Sequence, residues 1–142
     1  MGEGSSVKEA KANYNRAVSQ ARKKYEQVEL EAFEEYNRVV IECVDARSEG
    51  ERAQVQARID YLDTVRLEKD ENENKKAMDI YDAILGKCMI GRIDAMKRAT
   101  QARLVYSDIT RRAWNEYEQA KRQAKETYEE VLADEDSRRS GY

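Results

Sequence analysis

The chain has 142 residues, enough for one domain of ordinary size, and combines 39% charged residues and a mean hydropathy of −0.98 with a net charge of only −3. Histidine is absent, which removes Cys/His zinc sites, histidine general bases, catalytic triads and the Glu-x-x-His di-iron pattern. Proline is also absent where average usage would give about seven, and no apolar run or N-terminal apolar core marks a membrane span or signal peptide, so the reading is a soluble, intracellular (cytoplasmic), helical protein.

The first predicted helix covers 6–46 and opens on Ser6 and Glu9, which have capping-box spacing. It carries Ala10, Tyr14 and Ala17, then Ala21, Tyr25 and Val28, then Ala32, Tyr36 and Val39, and ends on Cys43. The series repeats every 11 residues in steps of 4, 3 and 4; eleven residues make three helical turns, so the stripe stays on one face. Ser48, Gly50 and Glu51 then predict a tight turn.

The second predicted helix covers 49–86, with Val55, Ala57, Ile59, Tyr61, Leu62 and Val65 before the polar run from Lys69 to Lys76, and Ala77, Tyr81, Ile84 and Cys88 after it. Ala57 and Ala77 are 20 residues apart where two repeats would give 22, so the stripe slips phase across the polar run. One continuous helix with a weak centre is expected; the alternative is a helix broken near 70–75, giving four helices in all. Gly86 and Gly91 predict the next turn.

The third predicted helix covers 92–135 and returns to the repeat: Ala102, Tyr106 and Ile109; Ala113, Tyr117 and Ala120; Ala124, Tyr128 and Val131. Residues 1–5 and 136–142 are expected to fray. Three segments of similar length joined by short turns give the expected fold, a single domain over 1–142 that is all-α: an elongated antiparallel three-helix bundle, up-down-up.

Alanine in the seam lets backbones approach, and a tyrosine four residues on fills the space beside it while keeping its hydroxyl at the rim. The expected seam is therefore Ala10, Tyr14, Ala21, Tyr25, Ala32, Tyr36, Ala57, Tyr61, Ala77, Tyr81, Ala102, Tyr106, Ala113, Tyr117, Ala124 and Tyr128. Cys43 and Cys88 take seats where alanine stands elsewhere and read as small buried hydrophobes. In antiparallel neighbours they would lie too far apart for a disulfide.

Charge is segregated along the chain. Residues 6–25 hold six basic groups and one acidic, and 26–46 hold seven acidic and one basic; 92–112 hold six basic against two acidic, and 126–136 hold six acidic and none basic. In an up-down-up bundle this makes an electrically polar rod, whose ends could join copies. The candidate electrostatic interface is Lys11, Arg16, Arg98 and Arg103 against Glu34, Glu35, Glu129 and Glu130.

No Gly-rich phosphate loop or nucleophile elbow occurs, and the acidic pairs at 34–35 and 129–130 read as solvated helix faces rather than metal ligands. No enzyme activity, cofactor, metal or nucleic acid is expected, the last because no basic face runs along the chain. The alanine–tyrosine stripe resembles coiled-coil and spectrin-like helical proteins, and the 11-residue helices of stalk-type subunits, in architecture. The expected function is a structural or assembly protein that self-associates as scaffold, spacer or filament unit. The alternative is a small adaptor or inhibitor that docks one helical face on another protein.

Overall fold

The computed structural model describes residues 3–67 and 70–140. It is all-helical, with two long helices packed against each other: α1, Glu3–Leu67, and α2, Glu71–Ser140. The three-helix expectation is corrected on this point, since the described residues hold two helices. Both turns expected at 48–51 and at 86–91 lie inside continuous helix, and the polar run near 70, where the stripe slips phase, is where α1 ends and α2 begins.

Local chemistry explains that choice. At the start of α2 the Asn72 amide donates to Asp70 Oδ1 at 2.9 Å and the Asn74 amide donates to the Asp70 carbonyl at 3.1 Å, so Asp70 caps the helix. Glu71 and Glu73 sit in the first turn of α2 and Arg66 in the last turn of α1, each opposing the local dipole charge. Ser6 lies within α1, so its capping-box spacing with Glu9 does not start the helix, and α2 remains helical through Ser140, beyond the fraying expected from 136. Residues 1, 2, 141 and 142 lie outside the described residues.

The helices are supported along their exposed faces by ion pairs one turn apart, among them Arg22–Glu26 and Arg47–Glu51 at 3.4 Å and Arg111–Asp108 at 2.7 Å. Such pairs contribute about 0.2–0.5 kcal/mol each. A helix-interior glycine costs about 1 kcal/mol against alanine, too little to stop a helix that is packed on both sides of it.

Two compact units make up the chain. One joins the residues up to Glu34 with those from Tyr106 onward; the other is Glu35–Val105 and contains the turn. In each, partner numbers rise along α1 as they fall along α2: Tyr14 meets Tyr128 and Tyr25 meets Tyr117 in the first unit, and Glu42 meets Arg98, Gly50 meets Cys88 and Tyr61 meets Tyr81 in the second. Each unit is an antiparallel helix pair.

Gly50 and Gly91 line a cavity of about 110 Å³ in the second unit, together with Ala46 and Cys88. A Cβ at either glycine would meet nothing within 4 Å, and neither has a positive φ. Gly91→Ala is therefore expected to raise stability by about 0.5–1 kcal/mol through helix propensity, read as a higher midpoint in urea; a lower midpoint would mean that the position needs glycine for a contact outside the chain.

Candidate assembly surface

Eight tyrosines of the stripe, Tyr14, Tyr25, Tyr36, Tyr61, Tyr81, Tyr106, Tyr117 and Tyr128, are all half-buried. Of the alanine seats, Ala32, Ala57 and Ala113 are buried, with 6–8% exposure, whereas Ala10, Ala21, Ala77, Ala102 and Ala124 are half-buried. The equal step on two antiparallel helices makes the rings meet level by level. In the first unit Tyr14 and Tyr128 lie 5.8 Å apart between ring centroids, Tyr25 and Tyr117 5.9 Å, and Phe33 and Tyr106 6.2 Å. Trp114 closes the widest cluster, 5.5 Å edge-on from Tyr25 and 5.5 Å from Tyr117. In the second unit Tyr61 stacks on Tyr81 at 5.4 Å.

The same 11-residue step carries an exception. Ala102, Ala113 and Ala124 are followed at the next equivalent position by Glu135, which is 4% exposed. Its Oε1 has no hydrogen-bond partner and its Oε2 lies 3.9 Å from Arg138. Glu135 lines a groove of about 750 Å³ with Ser6, Ala10, Asn13 and Tyr14 of α1. Sequence reasoning missed this residue, and the step of 11 from Ala124 was the signal that points to it.

Burial pushes the Tyr25 hydroxyl above its ordinary value of 10.0, and Glu29 adds to the rise through its charge and a side-chain hydrogen bond. A group whose folded value lies above its unfolded one contributes stability that is complete below the unfolded value and lost as pH climbs through the folded one. The wild-type chain should therefore lose stability relative to Tyr25→Phe as pH rises above about 10. Urea midpoints of the two proteins at pH 8 and in the alkaline range test this; a constant difference would place the hydroxyl in open water.

The charge blocks now have a physical reason within each unit. In the first, Lys8, Lys11 and Arg16 of α1 run alongside the acidic stretch 126–136 of α2, at the level of the Tyr14–Tyr128 contact. In the second, acidic 35–46 runs alongside basic 92–105, and Arg98 Nη2 donates to Glu42 Oε2 at 2.8 Å. Glu42 also accepts from Arg38 Nη1 at 2.6 Å, and Arg38 pairs with Glu35, whose carboxyl is held below its usual range by that hydrogen bond. Opposite charges on adjoining antiparallel segments favour this register over a parallel one.

The other candidates for an electrostatic interface are dispersed. Arg16 donates to Asn13 on its own helix at 3.3 Å, Glu129 lies 3.9 Å from Lys125, and Lys11, Glu34, Arg103 and Glu130 are exposed. Arg98 is engaged inside its own chain, so charge reversal there would disturb the helix pair itself. Cys43 is buried, Cys88 donates its thiol to the Gly50 carbonyl at 3.3 Å, and both cysteines are free. Among the described residues no helix is long and apolar enough to cross a membrane, and no group of acidic and cysteine side chains could hold a metal ion.

What remains is apolar surface. Among the described residues the buried hydrophobic ones are Ala32, Cys43, Ala57, Ala95 and Ala113, and no large side chain is fully buried. Val55, Met89, Ile90 and Met96 are by contrast each 59–65% exposed. No protein-family model, curated protein or solved structure matches this chain. The physical arrangement therefore carries the functional reading.

Proposed function

We propose that this chain is a non-enzymatic structural protein that self-associates, serving as a scaffold, spacer or filament unit. The observation that supports the reading is its surface. Large apolar side chains are exposed in both units, among them Phe33 at 48% and Trp114 at 47%, and Met89 at 64% and Met96 at 65%, and exposed apolar surface of this kind marks places where another chain packs. Seam alanines supply little hydrophobic stabilisation on their own, because burying an alanine removes little more than one methyl group from water.

Folding and association should then be linked by mass action, so that the melting temperature rises with protein concentration. Thermal melts followed by circular dichroism over a hundredfold range of concentration test this. A midpoint that climbs by several degrees fits self-association, and a fixed midpoint with a sharp transition contradicts it.

A further inference from the structure

We infer that one face of the Glu35–Val105 unit is the surface on which a second copy of this chain packs, an inference that rests on the self-association proposed above and specifies where it occurs. The argument starts from the seam. On α2, Met78 follows seam residue Ala77, Met89 follows Cys88, and Met96 follows Ala95; on α1, Val44 follows Cys43 and Leu62 follows Tyr61. Consecutive helical residues are rotated by about 100°, so each helix carries a second apolar stripe displaced from the seam in the same rotational sense. Val55 and Ile59 extend the stripe on α1, and Ile93 extends it on α2.

Two antiparallel helices facing each other are related by a two-fold axis perpendicular to the plane that holds them. An equal rotation away from the seam therefore brings both stripes to the same side of the pair. The residues immediately before the seam occupy the other side; among them are Glu42, ahead of Cys43, and Arg98, ahead of Ala99, the pair that bonds across the helices. One side of this unit is tied by charge. The other presents Val44, Val55 and Ile59 beside Met89, Ile93 and Met96, each 45–65% exposed.

The occupant follows from area and from the rim. A two-helix layer lacks a second layer over its apolar side, and domains are built from packed layers around a shared core. A second copy turned face to face would supply that layer and complete a four-helix arrangement from two chains. The exposed apolar side chains of that side, Val44, Val55 and Ile59 with Met89, Ile93 and Met96, are the area such a layer would cover. Asp45, Arg52 and Asp63 on α1 and Lys97 on α2 fall one step further round each helix, so the rim carries both signs. A mixed rim offers each of its charges an opposite on an identical chain, whereas a strongly acidic or basic partner would be matched by a rim of one sign.

Hydroxyl-radical footprinting of the unmodified chain, combined with its mass in solution, tests the inference without risk to folding. Met78, Met89 and Met96 mark the covered side, and Ile80, 63% exposed and directly before seam residue Tyr81, marks the opposite side. In the associated protein Met89 and Met96 should be oxidised at least fivefold more slowly than in the urea-unfolded chain, Ile80 should stay reactive, and dilution to the monomer should reopen both methionines. An oligomer in which Met89 and Met96 react at the unfolded rate would overturn this face and leave self-association standing. A chain that stays monomeric at every concentration would overturn both.

Discussion

Tyr25→Ala is expected to lower stability by about 2 kcal/mol, because the ring spans two neighbours at once. It meets Trp114 edge-on at 5.5 Å and Tyr117 at 5.9 Å, and Trp114 and Tyr117 also touch. Truncating a fully buried aromatic costs about 3–5 kcal/mol, and this half-buried ring should lose roughly half of that. For a chain of this size a loss of about 2 kcal/mol corresponds to a fall of roughly 8 °C in melting temperature. Tyr25→Phe keeps the ring contacts and should retain most of the stability at neutral pH. A melting temperature unchanged by the alanine variant would mean that the aromatic cluster contributes nothing to holding the pair together.

Ala57→Asp should have a still larger effect. Ala57 is 6% exposed and stands one turn before Tyr61, whose ring stacks on Tyr81. A carboxylate in that seat must either lose its hydration or force the helices apart, which costs about 3 kcal/mol or more. Ala83→Asp is the control: Ala83 is exposed on the same unit, and only the lower helix propensity of aspartate, about 0.5 kcal/mol, should register. Equal losses in the two variants would contradict the assignment of Ala57 to the seam.

The contrast between these seats shows what was legible in the sequence. Tyr14 and Tyr25 share one helical face by spacing, as do Tyr106, Tyr117 and Tyr128, because a step of 11 fixes a face whatever the helix packs on, and their rings meet rings of the other helix. The turn was misplaced for an energetic reason. Ser48 three residues before Glu51 and a glycine at 50 are each weak signals, and neither outweighs continuous packing along α1. Asp70 combines a cap with a stretch that has no apolar residue to bury, and the 20-residue step from Ala57 to Ala77 records the reversal of the chain between them.

The charge blocks were readable as composition, but their meaning depended on that turn. With three helices they gave a polar rod; with two, residues 35–46 lie against 92–105 and the Glu42–Arg98 bond follows. The second apolar stripe was present in the sequence as well, one residue after Cys43, Tyr61, Ala77, Cys88 and Ala95. A search for a single stripe passes over it, because Met78, Met89 and Met96 acquire a common face only when the partner helix defines which side of the seam is open.

Self-association is tested most directly by sedimentation equilibrium of the unmodified chain across a wide range of concentration. The expected result is a mass that converges on an integral multiple of 16.5 kDa, two or more, and declines toward a single chain on dilution with loss of helical signal. A mass of one chain at all concentrations, with the helices fully folded, would contradict it.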